Sequence, residues 1–146
     1  MTYFNDMAPN TYFGRWADVL VSVGWLDAEH AYKRGPVTTE VYRALVSHLV
    51  EPWQPATFAG RAMCAMCRFS GGPGTITFER TKIVLASNNL FIPSKGRVFV
   101  SPSLVAHFVD AHEYCPPEEF QQAIVDCPPM GSAAYLRALR ECGLEV

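Results

Sequence analysis

The chain has 146 residues, of which 49% are hydrophobic and 18% charged, and its net charge at pH 7 is −2. This composition excludes an intrinsically disordered chain, and the slightly negative charge argues against a surface devoted to nucleic acid. The length predicts a single domain, residues 1–146, and the polar interruptions in its richest apolar run, residues 98–109, exclude a transmembrane helix.

Residues 1–35 form an irregular segment rich in aromatic side chains. The chain starts without the basic residues and apolar stretch of a secretory signal, so we expect a cytoplasmic protein. The apolar run within residues 16–23 is too short for its periodicity to distinguish a helix from a strand. Gly35 and Pro36 interrupt any regular element at the end of this segment.

A helix is predicted over residues 37–50, with Thr38 or Thr39 as its N-cap. Apolar residues recur on one face of this helix, and Pro52 follows its end. His48 lies on the apolar face. We therefore expect it to be a buried histidine with a hydrogen-bond partner, rather than a ligand.

Residues 56–100 form the β-rich part of the sequence. Four short segments have the β-branched and aromatic composition of strands, and turn-forming residues separate most of them. These segments are Thr75–Arg80, Lys82–Ala86, Asn89–Ile92 and Arg97–Val100. The glycine-rich loop at residues 70–74 lacks the Lys-Ser/Thr pair of a phosphate-binding loop, so we interpret it as a plain turn.

Three helices are predicted to close the chain. Ser101 caps the first, which is expected over residues 102–112. The other two occupy residues 116–146, where Pro128 separates them and Ser132 caps the last. The predicted fold class is therefore α+β: a small antiparallel sheet packed with about four helices.

Two cysteines and two histidines carry the chemistry of this sequence. Its five cysteines are an odd number without a secretory signal, which does not indicate a disulfide framework. Cys64 and Cys67 have the Cys-x2-Cys spacing of a metal knuckle, and His107 and His112 follow on a predicted helix. Two thiolates and two imidazoles are a recurrent ligand set for Zn²⁺. Residues 56–112 thus resemble a zinc-finger-like β/α unit with a long insert.

The spacing of the histidines raises a geometric problem. His107 and His112 lie five positions apart, about 140° around a regular helix. Both can reach one metal ion only if the last turn of the helix deforms, or if His112 lies just past the helix end. Cys115 is an alternative ligand, because it forms a His-x2-Cys pair with His112.

Several motifs together resemble a family of small bacterial proteins without an established activity. The similarity covers the chain up to about residue 125, and its motifs are Met1–Asp6, Gly24–His30, Cys64–Cys67 and Pro102–Phe120. Family members usually carry Gly after the second histidine and no cysteine before Pro-Pro, whereas this chain has Glu113 and Cys115. The resemblance therefore favours His112 over Cys115 as a ligand, and it implies a structural zinc ion.

The ligand set predicts a structural role for the metal. Four protein ligands leave no position for water, and no carboxylate stands at a catalytic motif spacing, so a zinc-dependent hydrolase is the least favoured interpretation. We expect a non-enzymatic protein that binds another protein, for example a toxin-neutralising immunity protein. Trp25, Asp27 and His30 are candidate contacts with that partner.

The charge distribution supports one alternative. Residues 61–97 hold six basic residues against one glutamate, a net charge of +5, whereas residues 101–146 carry two against seven, a net charge of −5. The basic segment could form a nucleic-acid-binding zinc module, with phenylalanines as stacking surfaces: Phe69, Phe78, Phe91 and Phe99. Neither the identity of the partner nor the oligomeric state follows from the sequence.

Overall fold

A computed structural model describes residues 2–55, 62–85 and 88–146, and these residues adopt an α+β fold. The strands are β1 (Leu20–Ser22), β2 (Thr75–Phe78), β3 (Thr81–Val84), β4 (Asn89–Ser94) and β5 (Arg97–Pro102). The helices are α1 (Thr39–Leu49), α2 (Val105–His112), α3 (Glu118–Asp126) and α4 (Ala133–Glu141). The predicted fold class is confirmed. None of the described helices has the length and apolar character needed to cross a membrane.

The larger sheet has the strand order β1-β5-β4. β4 and β5 form an antiparallel hairpin, and Lys95 and Gly96 supply the positive φ angles that its tight turn requires. β1 pairs parallel to β5, so the sheet is mixed rather than purely antiparallel. The long connection between β1 and β5 permits this parallel pairing, which a tight turn could not. The ambiguous run at residues 16–23 thus contains a strand.

Helices cover both faces of this sheet. Phe91, Val98 and Val100 face one hydrophobic cluster with residues of α4, whereas Ile92 and Phe99 face the other, with residues of α1, α2 and α3. This alternation is the period of two expected along a strand. Because both faces are covered, β4 and β5 are apolar on both sides.

Three local predictions can be compared with the helices. Thr38 caps α1, its hydroxyl accepting a hydrogen bond from the backbone of Val41. His48 is buried and its Nε2 lies 3.0 Å from the carbonyl oxygen of Ile124, which confirms a satisfied core histidine. The predicted cap at Ser101 is wrong, because this residue still belongs to β5 and α2 begins four residues later.

A second sheet consists of the β2–β3 hairpin alone. Its first strand was predicted to reach Arg80, but it ends at Phe78, because Glu79 and Arg80 form the turn with φ angles of 47° and 68°. Asn-Gly is the usual pair in such a turn, so the sequence carries no signal for it. Arg43 of α1 binds the Glu79 carboxylate with two hydrogen bonds of 3.0 and 2.7 Å. The start of the predicted 56–112 unit and the end of its second strand, Ala86, lie outside the described residues.

The turn at Arg80 provides a test of this hairpin. We expect Arg80→Gly to raise the free energy of unfolding by about 1 kcal/mol. Glycine adopts the left-handed conformation without the cost that arginine has there, and this gain is larger than the loss from the greater entropy that glycine gives the unfolded chain. Thermal unfolding should show a Tm higher by roughly 3 °C. Arg80→Ala is the control, since it removes the same side chain and keeps Cβ. An equal gain in both variants would contradict the assigned turn.

Candidate metal centre

The Cys-x2-Cys segment folds into a closed backbone knuckle. The amide of Cys67 donates to the carbonyl of Cys64 at 3.2 Å, and the amide of Gly71 donates to that of Cys67 at 3.1 Å. The amide of Cys64 in turn donates to the carbonyl of Gly71. Burial raises the pKa of the Cys64 thiol, and hydrogen bonds from the backbone amides of Met66 and Cys67 to its sulfur oppose that rise. The knuckle therefore directs donors at a sulfur that would carry negative charge as a thiolate.

The two histidines come from opposite ends of α2. His107 lies in its first turn and His112 is its last residue. The helix ends there because Glu113 adopts a left-handed conformation, with φ at 57°, and the amide of Tyr114 donates to the carbonyl of Phe108 at 3.1 Å. The two imidazole centroids lie 4.9 Å from one another. His112 is still a helical residue, and the five-residue spacing nevertheless lets both rings reach one position.

The structure brings together all four predicted residues. Their ligand atoms, two Sγ and two histidine nitrogens, lie within 4.8 Å of one another. The Nε2 of His107 is 3.2 Å from Cys67 Sγ, and the Nε2 of His112 is 3.4 Å from Cys64 Sγ and 3.5 Å from Cys67 Sγ. The bond lengths of tetrahedral zinc place its sulfur and nitrogen ligands about 3.5 Å apart. The residues present therefore fit a single tetrahedral ion.

Burial favours the neutral, metal-binding form of His107. Cys64 and His107 are buried, and Cys67 and His112 are partly buried. Burial, and then the neighbouring imidazole of His112, lowers the pKa of His107. A lower pKa keeps this imidazole neutral, which is the form that coordinates a metal ion.

The glycine-rich loop forms one wall of the site, a role that its interpretation as a plain turn missed. Gly72 has a φ of 90°, and a Cβ built on it would lie 2.8 Å from the Cβ of Cys64 and 3.7 Å from the Nε2 of His107. Only a residue without a side chain allows the loop to pass this close. Consecutive glycines a few residues after a Cys-x2-Cys pair are the sequence signal for this close contact.

The remaining cysteines lie outside the cluster. The predicted alternative ligand, Cys115, has its sulfur 3.8 Å from the carbonyl oxygen of Pro116 and 3.7 Å from the Nε2 of Gln121. Cys127 follows α3, and burial raises the pKa of its thiol to about 12, which makes it an unreactive thiol. Cys142 is buried next to α4.

The candidate partner contacts have mostly structural surroundings. Trp25 is only 2% exposed and its Nε1 donates to the carbonyl of Val100 at 2.9 Å, so its prediction as a partner contact is wrong. The Asp27 carboxylate accepts hydrogen bonds from the backbone of Glu29 and His30 and lies 2.8 Å from the His30 ring. His30 also stacks on Tyr3, with ring centroids 3.8 Å apart, and remains exposed.

The four phenylalanines proposed as stacking surfaces have different environments. Phe91 and Phe99 are fully buried, and Phe78 packs edge-to-face against Tyr42. Phe69 is fully exposed, two residues after Cys67 in the knuckle. Of these four phenylalanines, Phe69 is the most exposed, and Phe78 is partly buried.

Gly72 provides a test of the site geometry. We expect Gly72→Ala to weaken Zn²⁺ binding about tenfold, because the added methyl group overlaps Cys64 and displaces its sulfur. Gly96→Ala is a matched control, since Gly96 has a similar φ of 83° and no atom within 4 Å of the position that a methyl group would take. Competition with a chromophoric chelator measures both affinities. Equal affinities in the two variants would show that the loop does not shape the site.

A known family accounts for most of the chain. The sequence model of a family described as "Domain of unknown function (DUF7919)" matches residues 2–125. The matched span includes the whole Cys/His cluster and ends within α3. No curated protein and no solved structure matches the chain.

Proposed function

The chain belongs to the DUF7919 family, and we propose that it is a non-enzymatic binding protein held together by one structural Zn²⁺ ion. The observation that carries this proposal is the convergence of two sulfur and two nitrogen donors at the distances of a tetrahedron. The donors come from the knuckle and from α2, which are 40 residues apart in sequence at Cys67 and His107. Their convergence does not follow from local chain geometry.

The ligand chemistry favours zinc. Thiolate and imidazole are the ligands of structural Zn²⁺ sites, whereas Mg²⁺ and Ca²⁺ require oxygen ligands. The described cluster contains no carboxylate. Two thiolates would balance the charge of a divalent ion, so the ion could be buried at low electrostatic cost.

Three features support a structural rather than a catalytic ion. Four protein ligands complete the tetrahedron and leave no position for water. Charge neutralisation by two thiolates weakens the ion as a Lewis acid. The nearby carboxylates, Asp110 and Glu113, line a cleft of about 580 Å³, and none of the four Cys/His residues lines that cleft.

Zinc would strengthen the connection between the knuckle and the core. A two-stranded hairpin such as β2–β3 is marginal in isolation. The zinc ion would link the knuckle, which precedes this hairpin in the chain, to α2. The first residues of α2, Val105–Phe108, are buried in the core. Metal binding of this type contributes of order 10 kcal/mol of apparent free energy to folding.

The zinc proposal predicts a metal-to-chain ratio near one in protein purified without added zinc. We expect Cys64→Ser to abolish this zinc and to lower Tm strongly, because serine replaces a thiolate ligand with a poor one. Cys127→Ser is the matched control and should keep zinc, since this thiol lies outside the cluster. Elemental analysis and thermal unfolding measure both effects.

A chelator provides a second measurement if Cys64→Ser does not fold. Removal of zinc from the native chain should lower Tm, and re-addition should restore it. A metal-free chain with an unchanged Tm would overturn the structural role.

We propose the knuckle tip, Arg68 and Phe69, as the surface that binds a partner protein. Both residues are exposed, and Phe69 projects from a backbone that hydrogen bonds hold in place. An exposed aromatic residue on a rigid support is typical of a binding hot spot. A toxin-neutralising protein is one form of this function.

The same tip favours nucleic acid as a second candidate, because an arginine beside an exposed aromatic ring can bind phosphate and stack on a base. The salt dependence of the binding affinity distinguishes a nucleic-acid partner from a protein partner. Affinity for single-stranded RNA or DNA that falls steeply with salt would favour the second candidate.

A substitution at the tip tests the protein-binding surface. We expect Phe69→Ser to weaken binding to a defined, co-purified partner by tenfold or more, while zinc content and Tm stay unchanged. Val50→Ser is the control, because Val50 is an apolar residue that is half-exposed and follows the end of α1. Binding curves for the two variants and the native chain give the comparison. Equal loss in both variants, or no loss at Phe69, would remove the tip from the interface.

A further inference from the structure

The cleft beside α2 combines three kinds of wall. The loop before α1 contributes Pro36 and Val37, and the end of β2 contributes Phe78. Tyr42 comes from α1, and the last turn of α2 contributes Asp110, with Glu113 directly after it. The described cleft is therefore apolar on one side, aromatic on another and acidic on the third.

The aromatic wall is fixed in place. The rings of Tyr42 and Phe78 lie edge-to-face, with centroids 4.9 Å apart and an angle of 80° between their planes. The hydroxyl of Tyr42 donates a hydrogen bond to the carbonyl of Ala106 at 3.3 Å. Fixed aromatic rings attract cations through the negative potential of their faces.

The acidic wall is poorly neutralised. Asp110 belongs to the last turn of α2 and Glu113 follows its end, and both line the cleft. Among the described residues, the carboxylate of Asp110 has no hydrogen bond or ion pair. The carboxylate of Glu113 pairs only with Arg34, at 3.7 Å, and both side chains are exposed. Burial, and then the negative charge of Asp110, raises the pKa of Tyr42 to about 12, so this carboxylate acts on the aromatic wall.

These carboxylates lie at the C-terminal end of α2, where a negative charge destabilises the chain that has no partner bound. The C-terminal end of a helix carries partial negative charge, which repels anionic side chains and attracts cations. Glu113 also holds a left-handed backbone conformation that a residue other than glycine adopts at a cost. A cation in the cleft would offset the repulsion between these carboxylates and the negative end of the helix.

We propose that this cleft binds a basic side chain, arginine or lysine, of a partner protein. The aliphatic stem would lie against Pro36, Val37 and Val109, and the charged head would meet the carboxylates and the two rings. The cleft is open to solvent, which suits a side chain presented by a larger body better than a small free amine. This inference rests on the proposed function, because a metal ion at His112 would fix the last turn of α2.

The test uses the full, zinc-loaded chain and a blocked peptide with one arginine among glycines and alanines. Amide shifts in ¹⁵N–¹H NMR spectra should map to Val37, Tyr42 and Val109 and give an affinity. The same peptide with citrulline, which is neutral and of the same shape, should lose binding. Asp110→Asn should weaken binding of the arginine peptide about tenfold, because it removes a charge-assisted hydrogen bond. Glu119→Gln on α3 is the control for the loss of one negative charge elsewhere.

Three outcomes would overturn the cleft proposal. They are equal affinity for the arginine and citrulline peptides, unchanged affinity in Asp110→Asn, and binding of putrescine as tight as that of the peptide. Zinc content, measured for every sample, distinguishes a failure of the cleft proposal from a failure of the proposed zinc ion. Specific peptide binding by a chain that holds no zinc would support the cleft as a binding site and contradict the proposal of a structural zinc ion.

Discussion

The candidate site depends on one short helix, α2. Two histidines five positions apart leave a regular helix in directions about 140° apart, yet their imidazole centroids lie 4.9 Å from one another at the end of α2. The left-handed residue Glu113 makes that end, and the hydroxyl of Tyr32 donates to the carbonyl of His112 at 2.9 Å. The first turn of the same helix is buried in the core, which fixes the position of His107. One short helix thus carries both imidazoles, and packing in the core sets the position of its first turn.

The knuckle completes the site by a different means. Its cysteines are held by backbone hydrogen bonds within residues 64–71, and the absence of a side chain at Gly72 lets the following loop touch Cys64. The described contacts of the adjacent β2–β3 hairpin include a surface ion pair between Glu79 and Arg43, whose exposed groups contribute little stability. A metal ion would join the knuckle to α2, whose first turn is buried in the core. This arrangement is the basis for proposing a structural ion.

The two proposed binding surfaces both lie beside the Cys/His cluster. The knuckle tip presents Phe69 and a positive charge, whereas the cleft presents carboxylates and fixed aromatic rings. A metal ion would order both, because one surface follows the knuckle cysteines and the other is built on the last turn of α2. A structural ion would then influence binding at both surfaces, although no reaction takes place at the ion itself. It also makes zinc content the common control for binding at either surface.

The sequence by itself determined the α+β class, most of the helices and strands and the four cluster residues, since periodicity, caps and Cys-x2-Cys spacing are local properties. The tertiary structure decided what depends on distant contacts. The parallel pairing of β1 with β5, the burial of Trp25 and the separation of Cys115 from the cluster arise from packing across the chain. The end of α2 at His112 was also open in the sequence, because Glu113 is not a residue that normally signals a left-handed helix end. Local patterns specify which elements form, and long-range packing specifies which side chains meet.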